Sequence, residues 1–258
     1  MRYAFAGDRA IAVTALMELK KRGYAPLALL VSGPDKASHA GELTKLSGLD
    51  PDHVLEGTAF KEEKGRNLLK SLNLDYIIGI HFPYVVPAEV LGIPRIGVLN
   101  LHPAFLPYNR GWHTPSWAIV EGTPYGATLH FMTEALDEGD VVLQRECPPL
   151  PGDTAHSLYQ RVLALEGAMF AEAIPLLATL NPPRQPQNSA GTAHARRDLG
   201  LLQPLDPEEN VRTGDLLKRL RALTTNKTEE AAYLIEDGRK YFIQVTMTPE
   251  TENTPHVG

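Results

Sequence analysis

The sequence predicts an α/β protein with a Rossmann-like, open and mostly parallel sheet, followed by a small C-terminal module of one helix and one β-hairpin. Strand and helix patterns alternate along most of the chain, which is typical of βαβ units and right-handed crossovers. The strand candidates are short apolar runs bounded by turn residues, as expected of buried strands. A polar stretch rich in Pro, Asn and Gly, residues 181–203, separates this pattern from the rest of the chain.

The first elements form a βαβ unit. A strand is predicted at residues 2–6, a helix from about Ala10 to Lys21, and a second apolar strand at residues 27–31. A dinucleotide fingerprint requires three spaced glycines after the first strand, and Gly7 stands there alone, so no dinucleotide site is expected. The next predicted elements are a weak helix near 38–46, an amphipathic helix over 61–72 and a buried strand over 75–80.

Polar residues follow the strands in the middle of the chain. An apolar strand from Ile96 to Leu101 delivers Asn100 and His102 at its carboxyl end, and a strand over 127–132 is followed by a turn that contains Asp137. In open α/β sheets, ligands bind outside the carboxyl ends of the strands. The loop 81–85, which follows the strand before, is therefore expected to form one wall of a site.

The chain is predicted to consist of four segments: a catalytic domain (1–180), a linker or strap (181–203), a helix–hairpin module (204–246) and a polar tail (247–258). Thr114 and Pro115 are expected to start a short helix, and Asp153–Thr154 a long one whose apolar stripe belongs to the core. Asp237–Gly238 indicates the hairpin turn. One helix and one hairpin bury too little apolar surface to stand alone, so the module is expected to dock on the main domain or on another subunit. The exposed apolar side expected of the hairpin favours a symmetric homodimer.

Composition limits the functional classes. The 258 residues carry a net charge of −6, which gives no electrostatic reason to expect binding to nucleic acid. A single cysteine, Cys147, excludes an intramolecular disulfide and suits a reduced cytoplasm, where it is interpreted as a small core residue. Neither a signal peptide nor a membrane-spanning run is expected, nor is a bound metal.

Asn100, His102 and Asp137 together suit transfer of an acyl group to an amine. His102 can take up or relay a proton near neutral pH. The amide of Asn100 can donate to an oxyanion, and Asp137 can orient the imidazole and favour its charged form. Each residue alone also has a purely structural interpretation, for example Asp137–Gly139 as a plain turn. Their combination with the unusual loop over 103–115 favours the catalytic interpretation.

Three motifs carry a resemblance to a known family: Asn100–Pro103, Leu106–Gly111 and Leu136–Asp140. In sequence, order and spacing they resemble the formyltransferases that use 10-formyltetrahydrofolate, over residues 1 to about 180. The resemblance implies a Rossmann-like domain in which Asn100, His102 and Asp137 form the catalytic trio. It also implies a folate site, for which the candidate residues are His81, Phe82, Tyr84, Val85, Leu106, Pro107 and Asp140.

The formyl acceptor distinguishes three branches of this family. Gly7-Asp8-Arg9-Ala10 departs from the phosphate loop of the glycinamide-ribonucleotide enzymes. The short C-terminal part and the acidic net charge of the chain depart from the methionyl-tRNA enzymes. Residues 108–117 and the helix–hairpin module look most like enzymes that formylate nucleotide-linked amino sugars. The candidate acceptor contacts are Tyr108, Arg110, Trp112 and His113. Arg110 is also open to a role in bracing its own loop, and Trp117 to a place in the core.

The hypothesis is therefore a cytoplasmic N-formyltransferase acting on a nucleotide-linked amino sugar, such as a dTDP-4-amino-4,6-dideoxyhexose, as in lipopolysaccharide and O-antigen biosynthesis. Small molecules are its expected partners, with no nucleic acid and no membrane. The alternatives are a methionyl-tRNA formyltransferase-like enzyme, a formyltetrahydrofolate deformylase, and a folate- or nucleotide-binding module without catalysis.

Overall fold

The computed structural model describes residues 1–188 and 190–250, so most of the predicted tail, residues 251–258, lies outside the described part. The strands are β1 Tyr3–Gly7, β2 Ala28–Val31, β3 Val54–Glu56, β4 Tyr76–Ile80, β5 Gly97–His102, β6 Arg110–Gly111, β7 Gly126–Phe131, β8 Val141–Glu146, β9 Ala193–His194, β10 Ala232–Glu236 and β11 Arg239–Ile243. The α-helices are α1 Arg9–Lys21, α2 Ala40–Ser47, α3 Glu63–Ser71, α4 Ala88–Leu91, α5 Thr114–Glu121, α6 Ala155–Ala178 and α7 Thr213–Leu223.

Seven strands form the main sheet, in the order β3-β2-β1-β4-β5-β7-β8. The first five are mutually parallel, whereas β7 runs antiparallel to β5 and β8 antiparallel to β7. The predicted Rossmann-like, mostly parallel sheet with a C-terminal hairpin is thus confirmed. The strand β3 was not predicted, because only Leu55 of its three residues is fully buried and the surrounding segment is polar.

Side chains on the two faces of the sheet enter two separate cores, because successive residues of a strand point to opposite sides. Tyr3 and Phe5 of β1 pack with α1 and α6 on one face. Ala4 and Ala6 pack on the other face with residues of α3 and α4, such as Leu69. Each large side chain that is fully buried contributes about 1.5–3 kcal/mol. Helices therefore cover both faces of the sheet, and the edge where the strands end remains open to ligands.

The long helix α6 begins where predicted, since Thr154 and Ser157 form a reciprocal capping box. Its inner face is apolar except for Glu166, which is fully buried. The Glu166 carboxylate contacts His81 Nε2 at 3.0 Å, just beyond the end of β4. The Tyr159 hydroxyl lies 3.4 Å from the other ring nitrogen of His81. These two contacts of His81 fix the start of the loop that follows β4.

The segment predicted as a linker or strap is bonded to the main domain along its length. Gln185 pairs with Val141, and β9 adds to β6 in a short parallel pair. Gly191 lies so close to Pro107 that a Cβ atom would approach the Pro107 carbonyl oxygen to 2.2 Å. The segment is therefore a strap laid across the loop that follows β5.

The C-terminal module docks on the main domain, as its small size requires. Helix α7 packs against α5, and the Arg221 guanidinium donates to the carbonyl oxygens of Leu150 and Asp153. Asp237 and Gly238 both have positive φ in the hairpin turn, as predicted for this dipeptide. Within residues 1–188 and 190–250, no helix is long and apolar enough to cross a bilayer.

Glu166→Ala is expected to lower the free energy of unfolding by about 2–4 kcal/mol, because it opens a cavity and leaves His81 without its buried partner. Urea denaturation followed by circular dichroism measures this change. The matched control is Glu172→Ala on the same helix, whose exposed ion pair with Arg145 should contribute less than about 0.5 kcal/mol. Equal losses for the two variants would contradict the prediction.

Candidate active site

The carboxyl end of β5 carries Asn100 and His102, and this strand lies between β4 and β7 in the sheet. In the register of the sheet, Asn100 stands opposite Gly79 on one side and His130 on the other. The Asn100 Nδ2 atom lies 3.4 Å from His130 Nε2. The change from parallel to antiparallel pairing at this point therefore brings a second imidazole to the site.

The position of the His130 hydrogen follows from its neighbours. Its Nδ1 atom lies 2.8 Å from the carbonyl oxygen of Phe131, which can only accept a hydrogen bond. In the neutral ring, Nδ1 therefore carries the hydrogen and Nε2 accepts from the Asn100 amide. The amide nitrogen of Asn100 is held by this contact, with its second hydrogen left for a ligand.

Asp137 lies in the turn between β7 and β8, with φ at +54°, a region that Asp adopts more readily than most residues. Its side chain is 8% exposed, and its carboxylate lies 3.6 Å from His102 Nε2 and 3.6 Å from His130 Nε2. The backbone N–H of Gly111 donates to the same carboxylate at 3.1 Å. The three predicted residues, Asn100, His102 and Asp137, are thus brought together, with His130 between them.

Asp137 is ionised at neutral pH. Burial alone would raise the pKa of this carboxyl, but the nearby His102, the His130 imidazole and the Gly111 N–H hold it well below its usual range. The Asp137 carboxylate is therefore a fixed negative charge beside two imidazole rings.

His102 is neutral by contrast. Burial lowers its pKa below the ordinary histidine value, and the Asp137 carboxylate opposes this change only in part. Its Nε2 atom is buried and has no hydrogen-bond partner among the described residues. A neutral, unpaired ring nitrogen next to a fixed carboxylate is suited to accept a proton, because the carboxylate stabilises the imidazolium that forms.

A small apolar pocket of about 20 Å³, with room for roughly one water molecule, opens beside Asn100. Its lining includes Phe82, Tyr84, Val86 and Met132. The rings of Phe82 and Tyr84 pack against each other and against Phe60, which gives the pocket a rigid aromatic wall.

The predicted folate residues fall into two groups. Phe82 and Tyr84 line the pocket, whereas the side chain of Val85 points outward, 76% exposed, and Val86 takes its place in the lining. The His81 side chain turns to Glu166, and His81 does not line the pocket. Leu106, Pro107 and Asp140 do not line it: Leu106 is buried near Thr128, Pro107 contacts Gly191, and Asp140 lies 3.8 Å from Arg184.

Arg110 is engaged within the protein. Its guanidinium donates to the Glu138 carboxylate at 3.0 Å and to the side-chain oxygen of Gln187 at 3.3 Å. The guanidinium therefore joins its own loop to the Asp137 turn and to the strap. These contacts favour the interpretation of Arg110 as a brace for its loop.

The other predicted acceptor residues lie along the same loop. Trp112 is half exposed with the Arg196 guanidinium 5.3 Å from its ring, and Tyr108 is partly buried. Burial lowers the pKa of His113, and the charged residues that influence it belong to the strap and the C-terminal module: Glu230, Lys227 and Arg196. Trp117 belongs to the interior, where its ring stacks on His194 at 3.7 Å.

Sequence reasoning missed three residues that the structure places at or beside the site: His130, Glu166 and Gln187. His130 could have been found by pairing the predicted strand 127–132 with β5, since a histidine in a buried strand needs polar partners. Glu166 had the signal of a carboxylate on the apolar face of a helix. Gln187 gave no signal, because it lies in an irregular polar segment.

Comparisons with known proteins identify two domains. The family described as Formyl transferase matches residues 1–174, and the N-formyltransferase dimerization C-terminal domain matches residues 198–249. The dTDP-4-amino-4,6-dideoxyglucose formyltransferase of Mycobacterium tuberculosis is 31% identical over 176 residues, which cover 68% of this chain and 74% of that protein. A methionyl-tRNA formyltransferase of Syntrophus aciditrophicus is 30% identical over 209 residues, covering 77% and 67% of the two chains.

Solved structures resemble the whole chain in fold. A sugar N-formyltransferase from a Shewanella species superposes with a TM-score of 0.83 at 22% identity, covering 97% of this chain and 99% of that one. A 4-N formyltransferase from Francisella tularensis gives 0.83 at 22% identity, covering 96% and 99%. The arrangement of the catalytic domain and the helix–hairpin module is therefore shared with these proteins.

Asp137→Asn is expected to lower the pKa of His102 further, because it removes the charge that favours the imidazolium. An NMR pH titration of the histidine ring signals, assigned with a His102→Asn variant, measures the change in the protein without ligands. The neighbouring Glu138→Gln serves as control, since Glu138 pairs with Arg110 and its side chain is 50% exposed. An unchanged or raised pKa of His102 in Asp137→Asn would contradict this account.

Proposed function

The chain belongs to the formyl transferase family, and on that premise we propose that it moves the formyl group of 10-formyltetrahydrofolate to the amine of a nucleotide-linked amino sugar. The observation that carries the chemistry is the unpaired Nε2 of His102, 3.6 Å from the ionised Asp137 carboxylate and close to Asn100. This arrangement offers a base, a fixed counter-charge and an amide donor at the mouth of an apolar pocket.

The proposed reaction begins when the neutral amine of the sugar attacks the formyl carbon. The Asn100 amide donates to the oxygen that becomes negatively charged, a contribution of about 3–4 kcal/mol in comparable sites. His102 accepts the proton that the amine loses, and Asp137 stabilises the imidazolium. The bond from the formyl carbon to N10 of the folate then breaks, and the proton passes from His102 to that nitrogen. Tetrahydrofolate and the formamido sugar are the products.

In this proposal the folate ring binds at the small apolar pocket beside Asn100, which must widen to admit it. The aromatic wall of Phe82 and Tyr84 suits a flat heterocycle, and the backbone of residues 81–86 supplies hydrogen-bonding groups at its rim. Rigid packing of this wall against Phe60 supports precise placement of the reacting formyl group.

The acceptor assignment rests on the C-terminal part of the chain. Residues 198–249 match the N-formyltransferase dimerization domain, and the M. tuberculosis relative is named for a dTDP-linked amino sugar. The net charge of −6 provides little attraction for tRNA, although relatives named methionyl-tRNA formyltransferase are about equally identical. The proposal places the enzyme in the cytoplasm.

An acceptor panel tests the assignment. Purified protein is incubated with 10-formyltetrahydrofolate and separately with dTDP- and UDP-linked 3-amino and 4-amino sugars, initiator methionyl-tRNA, or no acceptor. Formation of tetrahydrofolate and of a formylated sugar, seen by mass spectrometry, is the expected result. Transfer to the tRNA alone would favour the methionyl-tRNA alternative, and formate release without an acceptor would favour a deformylase.

His102→Ala is expected to lower kcat by about 10²–10⁴-fold, because the proton of the attacking amine loses its acceptor. Binding of a non-reactive folate, measured by calorimetry, should remain. The exposed His156 at the start of α6 provides the control variant His156→Ala, with unchanged kcat. Full turnover by His102→Ala would exclude this residue as the base, whereas folate binding without turnover in the wild type would support a non-catalytic binding module.

The hairpin offers a surface for a homodimer, in keeping with the dimerization domain that matches it. Tyr233, Ile235 and Phe242 lie on the face of β10–β11 that points away from α7, with Lys240 opposite Ile235 and its ammonium over the Tyr233 ring, and Ile235 is 60% exposed. Ile235→Glu is expected to shift the protein from dimer to monomer in analytical ultracentrifugation, because it places a charge in the apolar contact. Arg239→Glu, on the other face of the hairpin, is the control. A wild-type monomer, or a dimer of unchanged affinity in Ile235→Glu, would contradict this surface.

A further inference from the structure

Gln187 of the strap reaches across to the turn that carries Asp137. Its side-chain nitrogen donates to the carbonyl oxygens of Asp137 and Gly139, at 2.9 and 2.7 Å. Its side-chain oxygen accepts from the Arg110 guanidinium at 3.3 Å. One amide therefore joins three parts of the site: the strap, the Asp137 turn and the loop after β5.

The orientation of this amide is determined by its neighbours. Two carbonyl oxygens can only accept and a guanidinium can only donate, so the NH₂ group must face the turn and the oxygen must face Arg110. A flipped amide would place like groups against each other at all three contacts. Both hydrogens of the NH₂ group are thus used on the main chain that surrounds Asp137.

The turn has few other attachments. Within the part of the chain that the structure describes, no other side chain from outside the turn donates to the main chain of residues 133–139. Gly139 lies against β7 so closely that a Cβ atom would approach the Phe131 carbonyl oxygen to 1.9 Å. Asp137 itself has a positive φ, a conformation that costs energy for residues with a side chain, although less for Asp than for most. The carboxylate thus depends on outside contacts for its position.

We propose that Gln187 is a positioning residue that holds the Asp137 carboxylate against His102, so that the strap completes the catalytic site. The inference rests on the proposed function for its kinetic part and on the geometry of the ligand-free protein for the rest. Gln187 touches neither reacting group, and it acts by bonding the two carbonyl groups that flank the charge.

The test uses Gln187→Met, which keeps the length of the side chain and removes all three hydrogen bonds without adding charge. Gln187→Ala is a second variant in case methionine packs badly. The matched control is Gln185→Met, because Gln185 belongs to the same strap, is exposed, and pairs with Val141 through its backbone alone.

The first readout is the pKa of His102 in the ligand-free protein, measured by NMR. Release of the turn should move Asp137 away and lower this pKa in the same direction as Asp137→Asn, by a smaller amount. In the Asp137→Asn background, Gln187→Met should produce no further change, because the charge that it positions is already absent. The Gln185→Met control should leave the pKa of His102 unchanged.

The second readout is turnover with the acceptor found in the panel. Gln187→Met should lower kcat by about 10- to 100-fold, as expected for a displacement of about 1 Å in a catalytic group, with little change in KM for the folate. The acidic limb of the kcat profile should move to lower pH, since the base becomes harder to protonate.

The outcomes separate the two proposals. A lowered pKa of His102 in Gln187→Met supports the positioning role even if the wild type formylates no amino sugar, a result that would overturn the proposed function alone. An unchanged pKa overturns the positioning role, whatever happens to stability or kcat. A further decrease in the Asp137→Asn background would also overturn it, because Gln187 would then act on His102 by another route.

Discussion

The buried charge of Asp137 is the constraint on which the rest of the site depends. A carboxylate removed from water is stable only where opposite charge or hydrogen-bond donors surround it. Here the Gly111 N–H donates to it, and two imidazoles 3.6 Å from its oxygens become positive partners when they are protonated. The same arrangement gives His102 its chemical character, because burial keeps the ring neutral while the carboxylate is ready to stabilise its protonated form.

The strand pairing of the sheet changes from parallel to antiparallel at β5, and this change brings partners to the Asp137 charge. Parallel pairing with β4 brings the end of β5 to the apolar pocket, and antiparallel pairing with β7 brings His130 opposite Asn100. The chain then turns back towards β8 through Asp137, so the acid arrives from the strand next to the base. A parallel neighbour would place its own carboxyl end beside His102, whereas His102 here pairs with Thr128 near the start of β7.

Local sequence signals were sufficient to predict the sheet and the trio of Asn100, His102 and Asp137. Each strand is a short apolar run, such as 96–101, and the polar residues stand at or after its end. Local signals were insufficient wherever a residue acts through a partner far along the chain. His81 was predicted to contact folate because of its place after β4, but its partner Glu166 is 85 residues away and draws the ring in the other direction. Arg110 was open to two roles, and only the positions of Glu138 and Gln187 distinguish them. Periodicity reports which face of an element is buried, and it contains no information about such pairs.

The strap also changes how the two domains of the chain should be regarded. A boundary near residue 180 separates the strands of the sheet from the helix–hairpin module. Across this boundary, β9 pairs with β6, and α7 packs against α5, the helix that follows the loop containing β6. The loop that carries the candidate acceptor residues therefore has the strap on one side and the C-terminal module behind it. Truncation at residue 180 would keep His102 and Asp137 in the chain and would remove Gln187 together with the partner strand of Arg110–Gly111. The hydrophobic core of the first domain determines its fold, whereas the geometry of the site requires the chain beyond it.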